Sequence, residues 1–515
     1  MKVVSGQVMQ LMDQRAIREF GVPGLTLMEN AGKGCADAIC EAYGPGDGKR
    51  ALIVAGKGNN GGDGFVIARL LLERGWDALV LLVAASETVT GDAAANLARL
   101  EPGRVIASPE RPARYAELFK TATIIVDALL GTGVKSEVTG SYGEAIDLIN
   151  AAGVPVVAVD IPSGVDAASG RILGRAVRAE LTVTFALAKL GNILYPGGEL
   201  GGRLLVQGIG MPDAVVAEAE GVEFVDLQRA SQLFRPRPLA AHKGSNGHCL
   251  LIAGAAGKTG AAAMAANSAV RTGSGLVTLA VPTGLNPILE VKSTEAMTIP
   301  VGRPGSRHLQ AGALSRLLAA TKGKDVVALG PGIGTHPSTV FLVHSLLAAL
   351  PGALVIDADG LNAVAAAPEV LLKRRGRVTL LTPHPGEMAR LAGLSVPQVE
   401  ADRIGCAREF ATNYQVHLIL KGARSIVAAP DGAIAINSSG NPGMASGGMG
   451  DVLTGIVASL IGQGYDPFEA CCLGAFLHGY AADLLLGELG NQGMRATDVQ
   501  EMLPQALRLI GSQKQ

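Results

Sequence analysis

Short apolar runs without a polar break recur along the chain, and turns rich in glycine, aspartate and serine follow many of them. In the first half the runs are "ALIVAG", "DALVLLVAA", "TIIVDALLG", "VPVVAVDIP", "LTVTFAL" and "RLLVQGIG", with helical patterns such as "FVIARLLLERG" and "YGEAIDLINAAG" between several of them. A strand apolar on both faces belongs inside a covered sheet, and strands separated by helices pair in parallel. The predicted class is therefore α/β. The second half restarts the pattern at "HCLLIAGAAGKTGA" and continues through "LVTLAVP", "VVALGPG", "ALVIDADG", "VTLLTP" and "VHLILKG". A chain of 515 residues exceeds the usual single core, so two domains are expected. The rhythm loosens in "PDAVVAEAEGVEFVDLQRASQLFRPRPLAAHKG", which sets the expected domains at 1–220 and 221–515.

The polar residues of the first half gather in three turns, "GKGNNGGDG", "DALLGTGVKS" and "DIPSGVD", each at the carboxyl end of a predicted strand. In a doubly wound sheet those ends line one edge, where ligands bind. Gly56, Gly58 and Gly61 fit a G-x-G-x-x-G spacing, which lets backbone N–H groups approach a phosphate at a helix N-terminus. That spacing gives no reason for Asn59, Asn60 and Asp63, whose residue types also serve as plain turn punctuation. Asn60, Asp127 and Ser163 supply hard oxygen ligands suited to a monovalent or weakly held cation beside a phosphate-bearing ligand. Lys135 and Asp160 facing one pocket would exchange a proton with a substrate hydroxyl. Spacing alone leaves a surface lysine and a strand-end aspartate equally open.

In the second half, "NPGMASGGMGDVLTG" leads glycines into a helix N-terminus. Gly447, Gly448 and Gly450 would surround a transferring phosphoryl group, and Asp451 in the first turn would accept a hydroxyl proton. "KGARS" places a cation, a glycine and a hydroxyl at a strand end, and "TPHPGE" and "GPGIG" end two others.

Composition narrows the partners. Aromatics are 3% and the formal net charge is −1, which argues against a nucleic-acid platform. The cysteines form no CxxC pair or zinc spacing and read as reduced core thiols. No apolar signal core or uninterrupted membrane-spanning run is read from the sequence. The expectation is a cytoplasmic protein with small-molecule substrates and no nucleic-acid or membrane partner, assembling as a homo-oligomer.

"LMENAG", "GKGNNGGDG", "DALLGTG" and "DIPSGVD" together resemble the motifs of the NAD(P)H-hydrate epimerase family, across most of residues 1–215. The resemblance implies a Rossmann-like doubly wound parallel sheet that interconverts the C6 epimers of hydrated NADH or NADPH. It also implies substrate contacts from Asn59, Asn60, Gly61, Gly62, Asp63, Gly131, Thr132, Gly133, Val134, Lys135, Ser136, Glu137, Tyr142 and Asp160. Potassium would be held by Asn60, Asp127 and Ser163, and Lys135 and Asp160 would be the catalytic acid–base pair.

Residues 242–500 are similar to the ADP-dependent NAD(P)H-hydrate dehydratases, through "HKGSNGH", "GKTGAAAMAANSAVRTGSGLV", "GPGIG", "TPHPGE", "KGARS" and "NPGMASGGMGDVLTG". That resemblance implies a ribokinase-like α/β domain using ADP and magnesium. Lys421, Gly422, Ala423, Arg424, Ser425 and Gly450 would contact the nucleotide, and Ala261, Gly332, His384 and catalytic Asp451 the hydrate. Two positions depart from the usual pattern: Ser425 stands for a frequent threonine, and "GAAGKTG" for a frequent Gly-Gly-Ser turn. Dehydration of one epimer and interconversion of both would explain one chain carrying two sites. The rival readings are a ribokinase-type small-molecule kinase with a fused regulatory domain, and a first half that only binds nucleotide or protein.

Overall fold

The structure is a computed structural model that describes residues 1–513. Its contacts divide the chain into two compact units, one spanning Lys2–Gly221 and the other beginning at Val222. In the first unit β1 (Lys2–Val4) pairs in parallel with β8 (Ala188–Lys189). The main sheet contains β2 (Arg50–Ala55), β3 (Asp77–Leu82), β4 (Val105–Ala107), β5 (Ile124–Ala128), β6 (Val156–Val159), β7 (Leu181–Phe185) and β9 (Arg203–Gln207). Their order is β4-β3-β2-β5-β6-β7-β9, parallel throughout. The strand order reverses between β2 and β5, where ligand crevices form in doubly wound sheets. β5, β6 and β7 are buried along their whole length, which is why they read as unbroken apolar runs.

The second unit contains β10 (Val222–Val225), β11 (His248–Ile252), β12 (Leu276–Pro282), β13 (Met297–Val301), β14 (Val326–Leu329), β15 (Ala353–Ile356), β16 (Thr379–Leu381), β17 (His417–Leu420), β18 (Ile426–Ala428) and β19 (Ile434–Asn437). The order is β13-β12-β11-β14-β15-β16-β17-β18-β19-β10. β11 to β17 are parallel, while β18 runs antiparallel to both β17 and β19. The stretch that reads as loosened holds β10, which pairs with β19, and the helix Leu227–Leu233. One sheet face is covered by the alanine-rich helix Thr259–Thr272, packed on the helix Met449–Gly462. The two approach so closely that a Cβ on Gly455 would lie 2.2 Å from the Ala265 carbonyl oxygen.

Two sequence expectations are corrected here. A stretch long and apolar enough to cross a membrane does exist, Pro467–Leu489, but 72% of its apolar window is buried inside the protein, so it is a core element. The cysteines are free, yet Cys40 and Cys406 are only half-buried, so "core thiol" describes Cys35, Cys249, Cys471 and Cys472 alone.

Candidate active sites

In the first unit the turns after β2, β5, β6 and β7 emerge from adjacent strands along one sheet edge. The first of them enters the helix Asn59–Glu73 through Gly58. Its glycines divide by role. A Cβ on Gly56 would lie 2.1 Å from the Leu129 carbonyl oxygen, and one on Gly61 1.9 Å from that of Gly56. Those two glycines let backbone segments touch. Gly58 faces open space and is the member of the fingerprint free to admit a ligand. Asn60, in the first turn of that helix, and Asp63, one turn further on, are both buried.

Asp127 is fully buried at the end of β5. Its Oδ1 accepts the Ser163 hydroxyl at 2.6 Å and its Oδ2 the Ser163 amide at 2.8 Å. Burial pushes this carboxyl up to about 6, against the opposing pull of the Ser163 bonds. The Ser163 hydroxyl oxygen also accepts the Leu130 amide at 2.9 Å. Asn60 closes the group from the other side: its Cγ lies 3.4 Å from where a Gly131 Cβ would stand, and its buried Nδ2 has no hydrogen-bond partner among the described residues. The turn 127–131 thus brings Asn60, Asp127 and Ser163 together.

Gly131, Thr132 and Val134 are half-buried, whereas Gly133, Lys135, Ser136 and Glu137 are exposed. Tyr142 lays its ring against the Gly56 position and accepts the Lys57 amide, and burial raises its hydroxyl pKa. Asp160, at the end of β6, takes a positive φ of 66°, a backbone conformation that costs a non-glycine residue and is concentrated at functional sites. Lys135 forms no ion pair with Asp160 among the described residues. The cation on Asp160 is Lys189, with its Nζ 2.5 Å from Oδ1.

In the second unit the candidate residues again sit on turns at the carboxyl ends of neighbouring strands. Asp357 follows β15 and is buried; its Oδ1 accepts Lys421 Nζ at 2.9 Å and its Oδ2 the Thr454 hydroxyl at 2.7 Å. Gly450 is glycine where space is short: a Cβ there would lie 3.2 Å from Lys421 Nζ. Glu387 stands 3.7 Å from the same ammonium and caps the helix Pro385–Ala392 by accepting the His384 amide at 2.8 Å. The His384 ring nitrogen Nδ1 accepts the Gly386 amide, which leaves an exposed imidazole with Nε2 3.7 Å from Glu387.

Asp451 lies in the first turn of Met449–Gly462, after Gly448 in a left-handed conformation at φ 95°. Its carboxyl is pushed up to about 7 by burial and then by Asp357, with Lys421 opposing. Asp359 completes the group, accepting Lys258 Nζ at 2.8 Å and the Gly334 amide at 2.9 Å. Lys258 in turn packs against Gly332, whose own neighbour is Ala261. Contacts link His384, Lys421 and Gly450 in one group and Ala261 and Gly332 in another, and the charge of Asp451 couples to both through Asp357, Lys421 and Asp359. The rest of the "KGARS" turn is held from both sides: Arg403 donates to the Ala423 carbonyl at 2.5 Å, Arg424 donates outward to that of Ser438, and within the turn the Ser425 hydroxyl donates to that of Gly422 at 3.0 Å.

Two family models match the chain, NAD(P)H-hydrate dehydratase over residues 249–505 and YjeF-related protein N-terminus over residues 24–191. A bifunctional NAD(P)H-hydrate repair enzyme of Moorella thermoacetica is 43% identical, covering 99% of this chain and 97% of its own. The chain belongs to the bifunctional NAD(P)H-hydrate repair enzymes. Its relative in Escherichia coli is 36% identical over 93% of this chain and 89% of that one. Among solved structures, an ADP/ATP-dependent NAD(P)H-hydrate dehydratase from Bacillus subtilis, co-crystallised with ATP and Mg2+, is 28% identical with a TM-score of 0.49, covering 56% of this chain and 99% of that one.

Within this repair-enzyme chain, sequence reasoning passes over Lys189, Asp357 and Asp359, and holds Glu387 and Lys258 inside quoted motifs without giving them a role. The signal for Lys189 is a lysine in the apolar run "TFALAKLGN", and that for Asp357 and Asp359 is the "DADG" ending of an apolar strand.

Proposed function

We propose that the first unit epimerises hydrated NADH and NADPH at C6 and that the second dehydrates one epimer with ADP, yielding NAD(P)H, AMP and phosphate. The observation that carries this reading is the convergence of each half's motif residues on one sheet edge, in a chain that aligns over almost its whole length with a relative named as a bifunctional NAD(P)H-hydrate repair enzyme.

In the epimerase site the reacting group is a carbinolamine, a hydroxyl on the carbon next to a ring nitrogen. Asp160 accepts the hydroxyl proton as the C6–N bond opens to an aldehyde, and returns it when the nitrogen recloses on the opposite face. Lys135, on the exposed segment that follows β5, supplies the proton to the departing nitrogen. Potassium fits the Asn60, Asp127 and Ser163 group: these offer oxygens, and a flip of the Asn60 carboxamide would present its oxygen where Nδ2 now has no partner among the described residues. When bound, potassium would supply a positive charge to hold the substrate's phosphates beside the glycine turn.

In the dehydratase site Asp451 accepts the 6-hydroxyl proton while that oxygen attacks the terminal phosphoryl of ADP. The Gly447, Gly448 and Gly450 segment offers backbone N–H groups to the transferring phosphoryl. The ring nitrogen then expels phosphate, and loss of a C5 proton restores the dihydropyridine. Magnesium, when bound with the nucleotide, would supply charge neutralisation of the phosphates. Stoichiometry tests the reading. One AMP and one phosphate are expected per NADH restored; a phosphorylated product that persists would mark a kinase instead.

A further inference from the structure

Lys189 is the last residue of β8 and is wholly buried, an expensive place for an ammonium group unless it is paired. Its Nζ donates to Asp160 Oδ1 at 2.5 Å, to the Thr184 hydroxyl at 3.0 Å and to the Phe185 carbonyl at 3.0 Å. The Thr184 hydroxyl donates onward to the same Asp160 oxygen at 2.9 Å. The backbone is tied in as well: Asn192 Nδ2 donates to the Asp160 carbonyl at 3.1 Å, and Asn192 Oδ1 accepts the Lys189 amide at 2.8 Å. Asp160 holds its positive φ inside this closed ring and is the one member of the ion pair with a side chain partly exposed, at 13% against 1% for Lys189.

The groups facing the pair are almost all anionic or thiol. Asp13 comes from the helix Gly6–Arg18, Asp63 from Asn59–Glu73 and Cys35 from Gly24–Tyr43. Burial, then Asp160 and Asp13, push the Asp63 carboxyl well up; burial takes Asp13 up to about 6, and Lys189 is the cation that opposes both shifts. Burial also raises the Cys35 thiol, with Asp63 and Asp160 adding to it. Lys189, bonded to Asp160 and facing Asp63 and Asp13, supplies the positive charge that offsets the repulsion among these carboxyl groups.

We propose that Lys189 is a positioning residue of the epimerase reaction, fixing Asp160 as an oriented carboxylate at the pocket wall without itself touching the substrate. This rests on the reading of Asp160 as the group that exchanges the hydroxyl proton. The test uses the full chain with purified epimers of NADH hydrate, measuring epimerase kcat and KM separately and dehydratase rate on the same protein. Lys189→Met is expected to lower epimerase kcat by at least about a hundredfold, the scale of a lost acid–base group, with KM changed less than about twofold and dehydratase rate unaltered. The double variant Lys189→Met/Asp160→Asn is expected to match Asp160→Asn alone, because residues acting as one unit are not additive. Full kcat in Lys189→Met, or multiplicative losses in the double variant, would overturn the proposal. Should Lys189→Met fail to fold, Thr184→Val decides: it removes one strut while leaving the ion pair, and a kcat loss of about fivefold at unchanged KM is expected, whereas parental kcat overturns the proposal. Parental epimerase activity in Asp160→Asn would instead refute the role of Asp160, a separate failure.

Discussion

A buried aspartate beside a second carboxylate is a poor acid, and Asp451 uses that. Held up to about 7 by burial and by Asp357, it is half ionised near neutral pH, where a general base is most effective. The ionised form is the active one, so dehydratase kcat/KM is expected to rise through about pH 7, level off above it, and fall about tenfold per unit below about pH 6. Asp357→Asn removes a repelling charge and leaves Lys421 nearer to Asp451 in effect, so the acid limb should move to lower pH. A pH–rate profile of parent and variant checks both, and an unmoved limb would mean that another group titrates there.

At the scale of elements, the glycines show how tightly backbone segments meet around each site. Gly61→Ala would place a methyl 1.9 Å from the Gly56 oxygen and Gly455→Ala one 2.2 Å from the Ala265 oxygen, so each should cost about 3 kcal/mol or more by overpacking. Gly58→Ala meets nothing within 4 Å at an ordinary φ of −91°, and should leave stability within about 0.5 kcal/mol of the parent while impairing the epimerase. Denaturant unfolding of the three variants separates packing glycines from the ligand-facing one; equal losses would erase the distinction. The apolar runs make the long parallel strands legible because those strands are buried on both faces. β10, β18 and β19 are not legible: "VEFV" alternates weakly, and its pairing with β19 joins residues far apart along the chain. The sites follow the same division. Motif turns such as "GKGNNGGDG" and "GGMGD" mark the sheet edges, but Lys421 meets its carboxylate partner 64 residues away and Lys189 meets Asp160 across 29, distances at which local sequence carries no sign of pairing.

At the scale of the whole molecule, the two units bring separate glycine turns and separate aspartates to one damaged cofactor. A stereospecific dehydratase alone would leave one epimer unrepaired, and an epimerase alone would restore none. The direct measurement is the recovery of reduced-nicotinamide absorbance from a mixed-epimer NADH hydrate sample, with ADP, magnesium and potassium, by the parent, Asp160→Asn and Asp451→Asn. The expected result is recovery of both epimers by the parent, of one by Asp160→Asn and of neither by Asp451→Asn. Because uncatalysed epimerisation would slowly feed the second epimer to Asp160→Asn, the initial phase is the one to read. No recovery by the folded parent with either ADP or ATP, or equally fast recovery of both epimers by Asp160→Asn, would contradict two-site repair.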